Sequence, residues 1–475
     1  MAARKLTPTE VLAQPLELPC GLVLPNRLVK CPMQETLAVA PFFDPPIEKF
    51  QNLYGQWAEA NYGLIITGQV QIDIRFLSIA GDVVCHPDSL EPPHIESWKR
   101  WAEIAQSKGT PCIVQLAHPG RMSPAGAGQR PADMPTLCPS SVPVQVGDKW
   151  LDKLAVSKML GTPKAMDLAD IDGAVEDWKR GARVAKIAGF KGIQLHGAHG
   201  FLLSQFLSPH TNRRTDDYGG NPEGRLKLLK RLVTEIREEC PPPFCLSVKL
   251  NSGDYMAEGG LSQDEALEQV RWLVTCGMVD FVEISGGNAE QKTSGLHNSF
   301  GKQTISQAPQ IRESTRIREA YYTEFAERVT QLPNKKCPIQ LSGGFRSRNG
   351  MADAITSSAC DLIGLGRTAV LEPDIPKRLL LNHALSDEEA LARPHIVKGQ
   401  WLSNMIPIKV VGSSLPIQLF YFNMRRLGNG LQPDPDKSIL GMIWSSVVET
   451  FHSGLSVAVH RVLETCGLSK AQKVD

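Results

Sequence analysis

The sequence predicts an α/β chain folded as a (β/α)8 barrel with a C-terminal, mainly helical extension. Three observations carry this. Short apolar runs alternate with longer segments of helical period from the N-terminus to about residue 370, the pattern of βα units joined into a parallel sheet. There are eight such runs, the number that closes a barrel. Within several of them polar residues recur at period two, so a polar set shares one face of strands that would otherwise be apolar on both sides.

The runs are RLVKCPM (27–33), LIITGQV (64–70), PCIVQLAH (111–118), GIQLHGAH (192–199), FCLSVKL (244–250), DFVEIS (280–285), PIQLSGG (338–344) and DLIGLGR (361–367). In the fifth, Ser247 and Lys249 share a face while Leu246, Val248 and Leu250 share the other; Gln194 and His196 do the same in the fourth. That polar face points into the barrel mouth, where such barrels keep their chemistry. Helices are legible between the strands: Ile171, Val175, Trp178, Ala182 and Ala185 step by three or four, as do Leu226, Leu229, Val233 and Ile236. Ser262 with Glu265 reads as a capping box opening another helix. Residues 119–166 are Pro/Gly-rich and longer than an ordinary βα loop, the mark of a lid or binding loop. The expected division is a barrel domain over 1–393 and an extension over 394–475. Apolar runs at 415–424 and 439–463 should pack against the barrel or a partner, with peripheral membrane contact as the other reading.

Composition narrows the function classes. With 51 Lys+Arg against 50 Asp+Glu the net charge is +1, which argues against a general nucleic-acid binder and a polybasic membrane-surface protein. A hydrophobic fraction of 42% with 21% charged residues is that of a soluble globular protein. Eleven cysteines include no Cys-x-x-Cys pair, so a structural zinc site or cubane cluster lacks ligands at usable spacing, and reduced, buried thiols are expected. The N-terminus is broken by Pro and Glu before any apolar run forms, so a cytoplasmic location is expected. Lys409 interrupts one late apolar stretch, and Glu449, His452 and His460 the other, so no transmembrane span is expected.

The strand ends suggest chemistry. Gly343 and Gly344 end the seventh strand, and Gly366 with Arg367 ends the eighth, the location where barrels commonly bind phosphate through backbone N–H groups and a guanidinium. Otherwise these are tight turns with a surface arginine. His196 and His199 sit in HGAHG, whose glycines let the chain leave strand geometry so that both imidazoles converge. Such a pair suits acid/base work or binding of a carbonyl or phenolate oxygen; metal ligation is disfavoured because no third ligand is evident. Gln115 offers donor and acceptor to the edge of a pyrimidine-like ring, and Lys249 a charge for a developing anion, unless Lys249 only bridges strands to Glu283.

QLAHPGR (115–121), HGAHGFLLSQFLSPHTNRRTDDYGGNPEGR (196–225), LPNRLVKCPM (24–33), LIITG (64–68) and GLGR (364–367) together resemble the old yellow enzyme family of FMN-dependent NAD(P)H oxidoreductases, over roughly residues 15–390. The resemblance implies a TIM barrel holding FMN noncovalently, with NAD(P)H as hydride donor. Pro32, Met33, Gln115 and Lys249 would surround the flavin ring, and Gly343, Gly344, Gly366 and Arg367 its phosphate. His196 and His199 match the pair that binds the activating oxygen of an α,β-unsaturated carbonyl or quinone-like substrate, which takes hydride from flavin N5. Lys249 stands where relatives usually carry arginine, keeping charge but not bidentate geometry. Three further departures matter: Phe201 replaces the tyrosine that protonates the α-carbon, Gln34 replaces a threonine or cysteine that tunes the flavin, and Gln69 replaces a smaller residue beside it. These departures leave room for a double-bond isomerase or a non-catalytic family descendant. The loop after the sixth strand, with Lys292, His297 and Asn298, is expected to shape the pocket. A homo-oligomer is compatible with the sequence.

Overall fold

The computed structural model describes residues 4, 6–131, 133–254, 259–287, 290, 322–442 and 445. Eight parallel strands form the barrel: β1 (Leu28–Lys30), β2 (Leu64–Gln71), β3 (Cys112–Ala117), β4 (Gly192–Gly197), β5 (Cys245–Asn251), β6 (Phe281–Ser285), β7 (Ile339–Ser342) and β8 (Leu362–Leu365). Each lies within one of the eight apolar runs or overshoots it by a single residue. Each strand pairs with its neighbours in chain order, and β1 pairs with both β8 and β2, which closes the barrel. Their residues are buried throughout, because helices cover the outside while side chains fill the inside.

Two of the strands that end before their apolar runs do so for a backbone reason. After β7, Gly343 and Gly344 take φ of +113° and +91°, which no ladder accepts. After β4, His199 takes φ +60° and Gly200 +80°.

The outer layer includes α1 (Ile47–Glu59), α2 (His94–Ala105), α3 (Trp150–Leu160), α4 (Leu168–Ala188), α5 (Leu202–Leu207), α6 (Pro222–Glu239) and α7 (Gln263–Thr275). The periodic residues in α4 and α6 are all buried, as their spacing requires. Trp57, Trp98, Trp101 and Trp178 are fully buried in the main core. At the start of α7 only half of the expected capping box forms. Ser262 Oγ accepts from Glu265 N at 3.2 Å, but Glu265 Oε1 is engaged by Arg225 Nη2 at 2.5 Å, a charged donor that outbids a backbone amide.

The 119–166 segment is built rather than open. Leu137–Cys138 pairs with Lys164–Ala165, and Val144, Val146, Val156 and Leu160 form a small apolar cluster of their own. Arg121, 1% exposed, pins the segment by donating to the carbonyls of Val142 and Pro143 at 3.0 Å each and by pairing with Glu290.

Past the barrel, α8 (Gln418–Gly428) packs on α1 and puts Leu419, Phe420, Phe422, Met424 and Leu427 into the main core. Asn52 Nδ2 donates to Gly428 O at 3.0 Å and Lys49 Nζ to Asn429 Oδ1 at 3.1 Å. Most of the 439–463 run, together with Lys292, His297 and Asn298, lies outside the described residues. Among the described residues no helix is long and apolar enough to cross a membrane, and ten cysteines are free, nine of them buried.

Candidate active site

The barrel interior beneath the mouth is a closed polar network contributed by five strands and the residue after β1. Gln115 on β3 donates to Gln194 Oε1 on β4 at 2.7 Å, and Gln194 Nε2 donates to Glu283 Oε2 on β6 at 3.0 Å. Glu283 Oε1 pairs with Lys249 Nζ on β5 at 2.9 Å and accepts from Cys31 Sγ at 3.7 Å. Cys31 in turn meets Ser342 Oγ on β7 at 3.1 Å. Lys249 is in register with His196 on one side and Glu283 on the other. The strand-bridging ion pair therefore exists, and it lies under the mouth. An ion pair buried this deeply is tolerable only when its remaining polar atoms are bonded, and both Glu283 oxygens are. The other two ammonium donors of Lys249 have no partner among the described residues, which fits a ligand rich in acceptors.

His196 and His199 converge as their flanking glycines suggested, with ring centroids 5.2 Å apart. Left-handed backbone at a non-glycine costs on the order of 1 kcal/mol. His199 is held there by its N–H on Asn251 Oδ1 at 3.2 Å and its Nε2 against Ser285 Oγ at 3.0 Å. His196 Nδ1 is buried with no hydrogen-bond partner among the described residues, the kind of atom a ligand oxygen would complete. The Phe201 ring stacks on His196 at 4.6 Å and 29°. Burial lowers both imidazole pKa values, that of His199 to about 3, with Lys249 adding in the same direction; for His196 the neighbouring His199 also contributes. Both rings are therefore neutral near pH 7. Among the described residues, the groups that could converge on a cation are Asp44, His86 and His94, and Cys20, Cys245 and Asp280, neither of which includes this pair.

A second locus gathers positive charge. Gly343 and Gly344 lie after β7, and Gly366 caps the short helix Arg367–Leu371 that follows β8. A Cβ on Gly366 would stand 3.5 Å from Met33 Sδ, so the ends of β1 and β8 meet there, bringing Pro32 and Met33 alongside. His395 Nε2 contacts Thr368 Oγ1 at 3.1 Å; its pKa falls to about 3 through burial, then through Arg367 and Arg346. Two guanidinium groups and a neutral imidazole beside two left-handed glycines fit a phosphate. Arg346 and His395 carried no signal in the sequence, since one follows the glycines in a turn and the other sits at the start of the extension.

A third locus lies at the ends of β1 and β2. Gln34 Nε2 donates to Ser78 Oγ at 2.8 Å and Asp82 Oδ1 at 3.2 Å, Gln69 Nε2 to Ser78 Oγ at 2.7 Å, and Gln71 Nε2 to Asp82 Oδ2 at 2.9 Å. Burial pushes the Asp82 carboxyl up to about 6 against these donors. Tyr421 of α8 reaches the same locus through Gln34, and neither Ser78, Asp82 nor Tyr421 stood out in the sequence.

Residues 12–386 match the family model described as NADH:flavin oxidoreductase / NADH oxidase family. The chain is 36% identical over 397 residues to the NADH-dependent flavin oxidoreductase iliE of Hypocrea jecorina, covering 83% of this chain and 95% of that protein. Among solved structures, morphinone reductase in complex with tetrahydroNAD aligns at a TM-score of 0.60 with 24% identity, covering 77% of this chain and 89% of that one. The old yellow enzyme homologue of Zymomonas mobilis aligns at 0.61 with 20% identity, covering 81% and 97%. Those two likenesses concern the fold alone, a (β/α)8 TIM barrel. With more than half its length matched by the family model, the chain belongs to the NADH:flavin oxidoreductase / NADH oxidase family, the old yellow enzyme family, and is an FMN- and NAD(P)H-dependent oxidoreductase.

Proposed function

We propose that the barrel mouth reduces electron-poor acceptors, α,β-unsaturated carbonyls or quinone-like molecules, whose oxygen is seated on His196 and His199. FMN, when bound, carries hydride from NAD(P)H to the acceptor. Gly343, Gly344, Gly366 and Arg367 would hold its phosphate, with Arg346 adding charge and the neutral His395 a hydrogen-bonding group. Pro32, Met33, Gln34, Gln115 and Lys249 would surround its ring, with Gln69 beside it. The observation that carries the reading is the neutral imidazole pair beside the buried Lys249, with His196 Nδ1 lacking a partner. Two neutral rings can donate N–H bonds to an oxygen that gains charge as hydride arrives at the far carbon, and no proton need leave them first. Lys249 holds a positive charge below the site, and Glu283 fixes where that charge sits.

Phe201 favours a second reading. Its ring covers His196 but has no proton to give, so an acceptor reduced at its β-carbon can rotate about the Cα–Cβ single bond of the enolate, return the hydride before protonation, and leave with the geometry of its double bond changed. A non-catalytic role would leave the His196–His199 pair and the cationic locus around Arg367 without a use.

Two experiments test the assignments. Arg367→Ala should weaken FMN binding by about 1–3 kcal/mol, roughly 5- to 150-fold in dissociation constant, read by quenching of flavin fluorescence as apoprotein is titrated. An unchanged constant would refute the phosphate locus. His196→Ala and His199→Ala should each keep FMN but lose most of the absorbance change that a phenol induces. Because burial holds the His196 pKa well below the ordinary imidazole value and that of His199 at about 3, phenol affinity in wild type should show no histidine-linked step near the ordinary imidazole pKa. A step near the ordinary imidazole pKa would mean the pair titrates and works as an acid.

A further inference from the structure

We infer that Tyr421, supplied by the C-terminal extension, is a positioning residue of the barrel mouth, fixing the carboxamide of Gln34. The inference rests on the reading above for what lies against Gln34. Its geometry stands independently.

Tyr421 lies on α8, beyond the 12–386 span that matches the family, so no residue of that span performs this contact from the same element. Its ring is 6% exposed, and its hydroxyl donates to Gln34 Oε1 at 2.6 Å. The other end of the amide is determined by chemistry. An ionised carboxylate can only accept, so the atom of Gln34 facing Asp82 Oδ1 must be the nitrogen. Ser78 is equally committed: its hydroxyl proton goes to Asp82 Oδ2 at 2.6 Å, which leaves its oxygen only to accept, from Gln34 and Gln69 at short range and from Gln71 Nε2 at 3.3 Å. Asp82 is held by backbone amides, Ser78 N at 3.0 Å and Ile79 N at 3.2 Å, so the whole set hangs from fixed main chain. Gln34 therefore cannot flip, and its oxygen is directed at Tyr421.

Removing the phenol hydroxyl leaves Gln34 Oε1 without its donor in a half-buried setting, where an unpaired acceptor carries a cost. The amide must then turn toward another donor or admit water, and either moves a polar group at the end of β1. The extension is thus part of the site and does more than cover the barrel.

The test compares Tyr421→Phe, which keeps the ring and its packing, with Asn52→Ala, which removes a different bond between the extension and the barrel, to Gly428 O. Gln34→Ala is the third variant, and Tyr421→Phe/Gln34→Ala closes a double-mutant cycle. In holoprotein of full length, Tyr421→Phe should shift the visible flavin spectrum and raise the FMN dissociation constant about three- to tenfold, the scale of one hydrogen bond. Asn52→Ala should leave both unchanged, and in the Gln34→Ala background the Tyr421 substitution should have no further effect. An unshifted spectrum and constant in Tyr421→Phe, or equal effects with and without Gln34, would overturn the inference alone. Wild-type protein that binds no FMN would overturn the underlying reading first.

Discussion

Phe201→Tyr should raise the single-turnover rate with a simple enone by about 10²- to 10⁴-fold, the usual contribution of a positioned general acid, and leave the rate with a quinone nearly unchanged. The ring already lies stacked on His196 at 4.6 Å, so a phenol there would place its hydroxyl at the edge of the pocket that the two imidazoles line. Quinones are reduced without proton transfer to carbon, which makes them the internal control. Stopped-flow reoxidation of the reduced enzyme by each acceptor, in wild type and variant, separates the cases. Equal acceleration of both acceptors, or of neither, would show that another group already delivers the proton and that Phe201 only shapes the pocket. Product analysis of wild type with an enone of one double-bond geometry bears on the second reading: the opposite E/Z isomer without net NAD(P)H consumption favours isomerisation.

Truncation after Pro394 should be more damaging than the loss of an appendage. Leu419, Phe420, Phe422, Met424 and Leu427 are each under 7% exposed within the main core, and burying such a side chain stabilises by about 1.5–3 kcal/mol. Five of them sum to about 7.5–15 kcal/mol, comparable with the whole stability of an ordinary domain at about 5–15 kcal/mol. The truncated chain should aggregate or unfold far below the wild-type temperature, and α1 should lose the partner that covers it. A truncated protein that remains monodisperse with an unchanged thermal transition would contradict this packing account. The same result would also remove the basis for placing Tyr421 in the site.

All eight barrel strands were legible because a parallel strand buried on both sides reads as an apolar run whatever its partners. The polar residues that interrupt the runs, Gln115, Gln194, Lys249 and Glu283, were legible as inward-facing for the same reason, and they meet in one network. The convergence of His196 and His199 was foreshadowed by the glycines on either side, since the turn needs a left-handed backbone there. Ser78, Asp82 and Tyr421 were not legible. Polar residues in loops have no period to betray the direction they face, and the pairing of Tyr421 with Gln34 joins positions 387 residues apart. Arg346 and His395 escaped for a similar reason: their convergence on Arg367 depends on the chain after β8 returning along the segment after β7, where Arg348 N donates to Ala390 O at 3.1 Å and Ala392 N to Arg346 O at 2.8 Å. The long 119–166 segment read as a lid or binding loop from its length and its Pro and Gly content, which carry no sign of the buried anchor at Arg121.

The most direct test of the central claim is the visible spectrum of the purified full-length protein, followed through an anaerobic titration with NADH and, separately, NADPH. The expected result is a yellow protein that releases stoichiometric FMN on denaturation, is bleached by at least one nicotinamide, and recovers its colour when an enone or quinone is added without oxygen. A folded protein that is colourless, fails to take up added FMN, and shows no change on Arg367→Ala would contradict it.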